Sequence, residues 1–204
     1  MITEQMLDAL RENLLERMGE RRFAHTLGVE RMAARLGEAI LPSRVSELRA
    51  AALLHDVAKE IPLDEQLSLL AEDGYMLTEE DRETPGVIHS FTAPIIIRRD
   101  FPEFATKDVL LAVENHTVGT PDMSVFEKII FISDYIEDTR TYESCINVRG
   151  ELLSGFDSLS PAERLAALDG ACLSSINGAL SALERMNKPI NSRMYKTKNS
   201  LLKN

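Results

Sequence analysis

Apolar residues recur at intervals of three and four along almost the whole chain, and the alternation of a half-buried strand is nearly absent. Such a chain buries its apolar stripes by packing helix on helix. Thr3 is placed to cap a first helix with Leu7, Leu10, Leu14 and Met18 on one face. A second helix is expected over about residues 22–40, with Phe23, Leu27, Met32, Leu36 and Ile40 inward. Pro42-Ser43 breaks the chain into a third at 45–59, whose centre, residues 50–54, is apolar all round and therefore buried. Shorter helices follow at 64–72, stopped by Gly74, and at 87–99, where Pro94 kinks the helix or marks its first turn. Another runs over 106–116 along the stripe Val109, Val113, His116. Ser124 and Glu127 form a capping box ahead of a helix at 126–137, and residues 139–150 read as a loop. Ser160-Pro161-Ala162-Glu163 opens a long helix with the stripe Leu165, Leu168, Cys172, Ile176, Leu180, Leu183. The expectation is an all-α helical bundle: one domain over residues 1–190 and a basic, weakly patterned tail at 191–204.

With 204 residues the chain can bury a core without staples, and its two cysteines, Cys145 and Cys172, form no CxxC. A disulfide framework and a thiolate zinc site are therefore excluded. No apolar run reaches the roughly 18 residues that span a bilayer, and the acidic, polar start differs from a secretory signal, so a cytoplasmic protein with no membrane partner is expected. Asp plus Glu outnumber Lys plus Arg by 33 to 23, a formal charge of −10 that argues against a nucleic-acid partner. An anionic small molecule is compatible with that charge if cations are concentrated locally, for instance as bound metal.

The chemistry-bearing residues lie on inward faces. His25 shares a helix face with Val29, Met32 and Leu36; His55 ends an apolar turn and is followed by Asp56; His89 and His116 fall at helix ends. Asp134 stands inside the apolar run of residues 129–136, where an ionised carboxylate is costly unless paired or bound to metal. Taken singly, each histidine reads as a hydrogen-bonded core residue, and Asp134 as an acid paired with an arginine. Together, four imidazoles and two carboxylates on consecutive helices fit a metal site built between facing side chains. Imidazole and carboxylate without thiolate suit iron, manganese, cobalt or zinc. Six ligands exceed what one catalytic ion takes while leaving room for water, so two divalent ions are expected.

The order His25, His55-Asp56, His89, His116, Asp134 resembles the HD-domain metallophosphohydrolases, and within them the symmetrical bis(5′-nucleosyl)-tetraphosphatases. The matching stretches are Arg22-Phe-Ala-His-Thr-Leu-Gly-Val29, Ala51-Ala-Leu-Leu-His-Asp-Val-Ala-Lys59, Asn115-His-Thr-Val-Gly119 and Met123-Ser-Val-Phe-Glu-Lys-Ile-Ile-Phe-Ile-Ser-Asp-Tyr-Ile-Glu137, with Arg140 just after. The HD signature implies only a metal-dependent superfamily; the His-Thr-x-Gly and Asp-Tyr-Ile-Glu stretches are the more specific.

The resemblance implies one ion held by His25, His55, Asp56 and Asp134, and a second held by Asp56 as bridge with His89 and His116. Iron is the metal it implies, and splitting of diadenosine tetraphosphate into two ADP is the reaction. Two ions sharing a carboxylate acidify a bridging water, and the hydroxide attacks phosphorus in line with the departing ADP. Lys59 reads as a group that binds phosphate or stabilises the leaving oxygen, or else as a solvated helix end. Arg22, Thr117, Arg140 and Arg149 are further substrate-binding candidates. Their alternatives are a surface arginine, a helix cap and two ordinary loop arginines. Thr120 stands where relatives commonly have a basic residue, and Asp138 where they often have proline, so base and chain-length preference stay open. Three rival readings are an HD-type nucleotidase acting on a mono-, di- or triphosphate, an inactive nucleotide-binding helical module, and a diiron oxygenase. A homodimer through exposed apolar residues of the first or last helix is a further expectation.

Overall fold

The computed structural model describes residues 2–203. Among them there are helices and turns and no strand, as the periodicity requires. The elements are α1 (Glu4–Arg17), α2 (Glu20–Ile40), α3 (Val45–Leu54), α4 (Leu63–Glu72), α5 (Glu79–Glu83), α6 (Ile88–Asp100), α7 (Lys107–Asn115), α8 (Val125–Ile136), α9 (Glu143–Leu153), α10 (Pro161–Arg185) and α11 (Ser192–Leu201). Thr3 Oγ1 caps α1, and full capping boxes open α8 at Ser124 and α10 at Ser160.

The central helices are α2, α3 and α8, with α2 lying most extensively on α3 and next against α8. Leu7, Leu10 and Leu14 of α1, Val29, Met32 and Leu36 of α2 and the fully buried segment 50–54 of α3 share one apolar core with Ile129, Ile130 and Ile132 of α8. Burial of side chains this size contributes about 1.5–3 kcal/mol each relative to exposure. Glu30, buried on α2, is held by Arg11 of α1 at 2.5 Å and Arg49 of α3 at 2.9 Å, so the carboxylate does not enter the core unpaired. Among the described residues no helix is long and apolar enough to cross a membrane.

The structure corrects several expectations. The third helix ends at Leu54 rather than running to 59; Val57 N bonds Leu54 O and Lys59 N bonds Asp56 O in successive i→i+3 turns. No glycine or proline marks that break, so the sequence pattern runs on through it. The supposed loop at 139–150 contains the start of α9, which buries Cys145, Val148 and Leu152 on one face. It begins without a side-chain cap and carries Gly150, so its signals were weak. Helix α6 passes through Pro94 to Asp100. Leu165, assigned to the buried stripe of α10, is exposed. The weakly patterned stretch after residue 190 forms α11, capped by Asn191, with Met194, Thr197 and Leu201 buried.

Helix α11 also supports the site. Thr197 Oγ1 donates to Val118 O at 3.1 Å, on the turn that follows His116. Gly119 in that turn has φ +69, and a Cβ there would lie 2.5 Å from Thr197 Cγ2. Glycine is thus required both by the left-handed backbone and by the approach of α11.

Candidate metal centre

Five separated stretches converge on one point. His25 comes from the second turn of α2, His55 and Asp56 from the end of α3, His89 from the start of α6, His116 from the end of α7 and Asp134 from α8. The four imidazoles form a chain: ring centroids are 5.3 Å apart for His25–His55, 5.0 Å for His55–His116 and 5.1 Å for His116–His89. All four are buried.

The Asp56 carboxylate divides this chain in two. Its Oδ2 faces Nε2 of His55 at 3.4 Å and of His25 at 3.7 Å, while Oδ1 faces Nε2 of His89 at 3.2 Å and of His116 at 3.6 Å. Asp134 Oδ1 closes the first half, 3.0 Å from His25 Nε2 and 3.8 Å from His55 Nε2. The donor atoms of His25, His55 and Asp134 lie within 4.8 Å of one another, and so do those of His55, Asp56 and His116. His55 therefore stands in both groups, where the resemblance implies a place only in the first. His89 Nε2 is 3.2 Å from His116 Nε2.

Hydrogen bonds fix which ring nitrogen is free. His55 Nδ1 lies 2.6 Å from Ala52 O and His116 Nδ1 2.7 Å from Val113 O. A carbonyl can only accept, so each Nδ1 carries a proton and each Nε2 is the ring atom turned toward the cluster. His25 Nδ1 meets Glu137 Oε1 at 3.0 Å, the same arrangement with a carboxylate. Nε2 of His25 and of His55 is buried without a hydrogen-bond partner, since Asp134 lies near but is not aligned with His25. Buried ring nitrogens left unpaired are costly, and a cation taken up between imidazole and carboxylate satisfies them.

Electrostatics support the same reading. Burial would push Asp56 up, yet His55, His116 and His89 hold it well below the usual carboxylate range. Asp134 is likewise lowered against burial, by His25 and Arg140. Burial lowers His89 to about 4, leaving it neutral. His25 differs: burial lowers it, but Asp134 and Glu137 together prevail and raise it to about 9. Below pH about 9 a cation must therefore displace a proton from His25. Metal affinity is expected to fall as pH falls, by up to about tenfold per unit. Manganese titrations at pH 6.5 and 8.5 check this; equal affinity with no proton release would contradict it.

A model of the HD domain family matches residues 22–139, the stretch that carries all six clustered side chains. The chain is a member of the HD-domain family. It is 31% identical over 185 residues, 90% of either chain, to the symmetrical bis(5′-nucleosyl)-tetraphosphatase of Halalkalibacterium halodurans. It is 28% identical over 190 residues, 92% of either chain, to the protein of the same name from Bacillus subtilis. A crystal structure from Clostridium acetobutylicum, described as a predicted HD superfamily hydrolase involved in NAD metabolism, superposes with a TM-score of 0.82. That match covers 96% of both chains at 28% identity.

Around the HD-domain cluster stand four of the five other candidates. Arg22 Nη1 pairs with Asp56 Oδ2. Lys59 Nζ is 3.2 Å from each ring nitrogen of His89, placed there by the turns after α3. Burial lowers the Lys59 ammonium pKa, while Asp56 and Asp134 oppose that shift. Thr117 Oγ1 is 3.1 Å from His116 Nε2 and 3.4 Å from His89 Nε2. Arg140 donates to Asp134 Oδ1 at 2.6 Å and to its carbonyl at 3.0 Å. Arg149 is elsewhere: its guanidinium donates to the carbonyls of Ile136 and Glu137 at 3.0 and 2.7 Å, fastening the end of α8.

Glu137 is the functional residue that sequence reasoning missed. It is fully buried, orients His25, and is held by Thr139 N at 2.7 Å and Thr139 Oγ1 at 2.6 Å. Its spacing of three from Asp134 was the available signal, since that offset keeps two side chains on one helix face.

Proposed function

We infer that this HD-domain protein is a metal-dependent hydrolase of dinucleoside polyphosphates, acting on diadenosine tetraphosphate to release two ADP. The observation that carries the reading is the Asp56 carboxylate, whose two oxygens face two different imidazole pairs. His25, His55, Asp56 and Asp134 would hold one divalent ion, and Asp56, His89 and His116 a second. Iron is the expected metal, with manganese, cobalt or zinc accepted by the same donors. Bound ions of this kind supply an acidified water and polarise phosphoryl oxygens.

The chain's own residues bind and orient. A cavity of about 470 Å3 opens beside His25, lined by Arg21, Arg22, Arg140 and Tyr142 among others. Its three guanidiniums outnumber the two carboxylates that also line it, Glu60 and Glu137, on a chain whose formal charge is −10. Arg22 and Arg140 each use part of a five-donor fork on a carboxylate and keep donors for phosphate oxygens. Lys59, beside His89, neutralises charge on a departing phosphate, and Thr117 donates to a phosphoryl oxygen at the other edge. Arg149 acts at one remove by holding the loop that carries Arg140; its donors also lie 3.4 Å from Arg140 O.

Incubating the metal-loaded protein with diadenosine tetraphosphate and separating the products tests the reading. Two ADP is the expected result. ATP plus AMP, or inertness beside rapid release of phosphate from a mono- or triphosphate, would overturn it in favour of another HD-type activity. Oxygen consumption with a polyol would instead indicate oxygenase chemistry.

A further inference from the structure

A second cavity, of about 740 Å3, borders the His89–His116 end of the cluster through Thr117, whereas the arginine-lined mouth borders His25. Its walls are Val87 from the turn before His89, Val118 from the turn after His116, Ala179 and Leu183 of α10 and Met186 just after it, with Met194 of α11 also lining it. Thr117 joins it to the centre: the residue lines the cavity, and its Oγ1 touches Nε2 of both His116 and His89. Lys188 and Glu83 are its charged residues and offset one another, whereas the mouth beside His25 carries three arginines against Glu60 and Glu137. Asn191, which also borders the cavity, has its amide committed to Asp81 and Thr84.

We propose that this apolar cavity receives one nucleobase of the substrate, while the polyphosphate lies over Asp56 between Thr117 and Arg140. The proposal rests on the hydrolase reading and deepens it. A tetraphosphate cut at its middle has a nucleoside on each side of the reacting phosphorus, so a site for it extends away from the metal cluster in two directions. The mouth's arginines suit phosphates; walls of valine, leucine and methionine without a surplus cation do not. They suit a flat, poorly hydrated ring, and the volume lies within the range of pockets that enclose such ligands. Apolar burial of the base adds affinity that a phosphate alone cannot draw upon.

Two substitutions and one measurement on the parent test this. Gly86 lines the cavity, and a Cβ there meets nothing within 4 Å, so Gly86→Phe adds a ring without a backbone clash. Ala179→Phe fills the same space from α10. In both metal-loaded variants KM for diadenosine tetraphosphate should rise at least about tenfold, the loss of roughly 1.4 kcal/mol of binding. Metal content and affinity for inorganic pyrophosphate should stay at parent values. In the parent, the methyl NMR signals of Met186 and Met194 should move on adding ADP and stay fixed with pyrophosphate. Parent-like KM in both variants, methionine signals indifferent to ADP, or equal losses for pyrophosphate and nucleotide would each overturn the proposal. A parent that leaves diadenosine tetraphosphate intact yet shifts its methionine signals with ADP would sink the hydrolase reading and keep the pocket.

Discussion

Replacing Asp56 with asparagine should reduce hydrolysis by about a thousandfold or more, well beyond the roughly 10–100-fold typical of losing a group that only orients a metal ligand. The reason lies in the division of labour between its two oxygens. Oδ2 serves His25 and His55, Oδ1 serves His89 and His116, and Arg22 is anchored to the same carboxylate. Asparagine keeps the shape but has one oxygen. Whichever way the amide turns, one half of the cluster faces an NH2 group in place of an acceptor, and Arg22 loses its counter-charge. The variant should bind metal incompletely and hydrolyse at background rate. Full metal content with activity within tenfold of the parent would show that Asp56 does not join the two halves.

The second large effect is expected at a residue without functional groups. Gly28 lies three residues after His25 on α2, and a Cβ there would sit 2.2 Å from Glu137 Oε2 and 3.0 Å from Glu137 Cδ. Glu137 cannot retreat cheaply, because Thr139 grips it with both its backbone NH and its hydroxyl. Gly28→Ala should therefore push the carboxylate off His25 Nδ1. Metal affinity should drop roughly 10–100-fold, and the crowding should cost about 1–3 kcal/mol of stability. Combining it with Glu137→Ala removes the clash: thermal stability should recover while metal affinity stays low. Gly28→Ala with parent affinity would mean that Glu137 does not orient His25.

Helix positions with strong caps and full apolar stripes were readable from the sequence. Thr3, Ser124 and Ser160 cap the helices that they announce. The early end of α3 was not readable, because no glycine or proline stands where the backbone passes into i→i+3 turns. Helix α11 escaped because one of its three buried positions is a threonine, so burial and hydrophobicity part company there. The six clustered side chains could be named because burying histidine and aspartate among aliphatic residues is costly and so leaves a visible trace. Lys59 and Arg22 carry no such trace; an ammonium or guanidinium at a helix end is ordinary until its partner is located. Arg149 shows the converse, an arginine near the motif whose donors serve backbone carbonyls.

Elemental analysis of gently purified protein, beside a His55→Ala variant prepared in parallel, bears most directly on the shared-carboxylate centre. His55 stands in both donor groups and its Nε2 is otherwise unpaired, so its loss should empty the site more fully than loss of a peripheral ligand. About two metal ions per chain in the parent, as a carboxylate-bridged hydrolytic pair requires, and far fewer in the variant is the expected outcome. A parent that holds no metal and still cleaves diadenosine tetraphosphate without added ions would refute the two-ion centre.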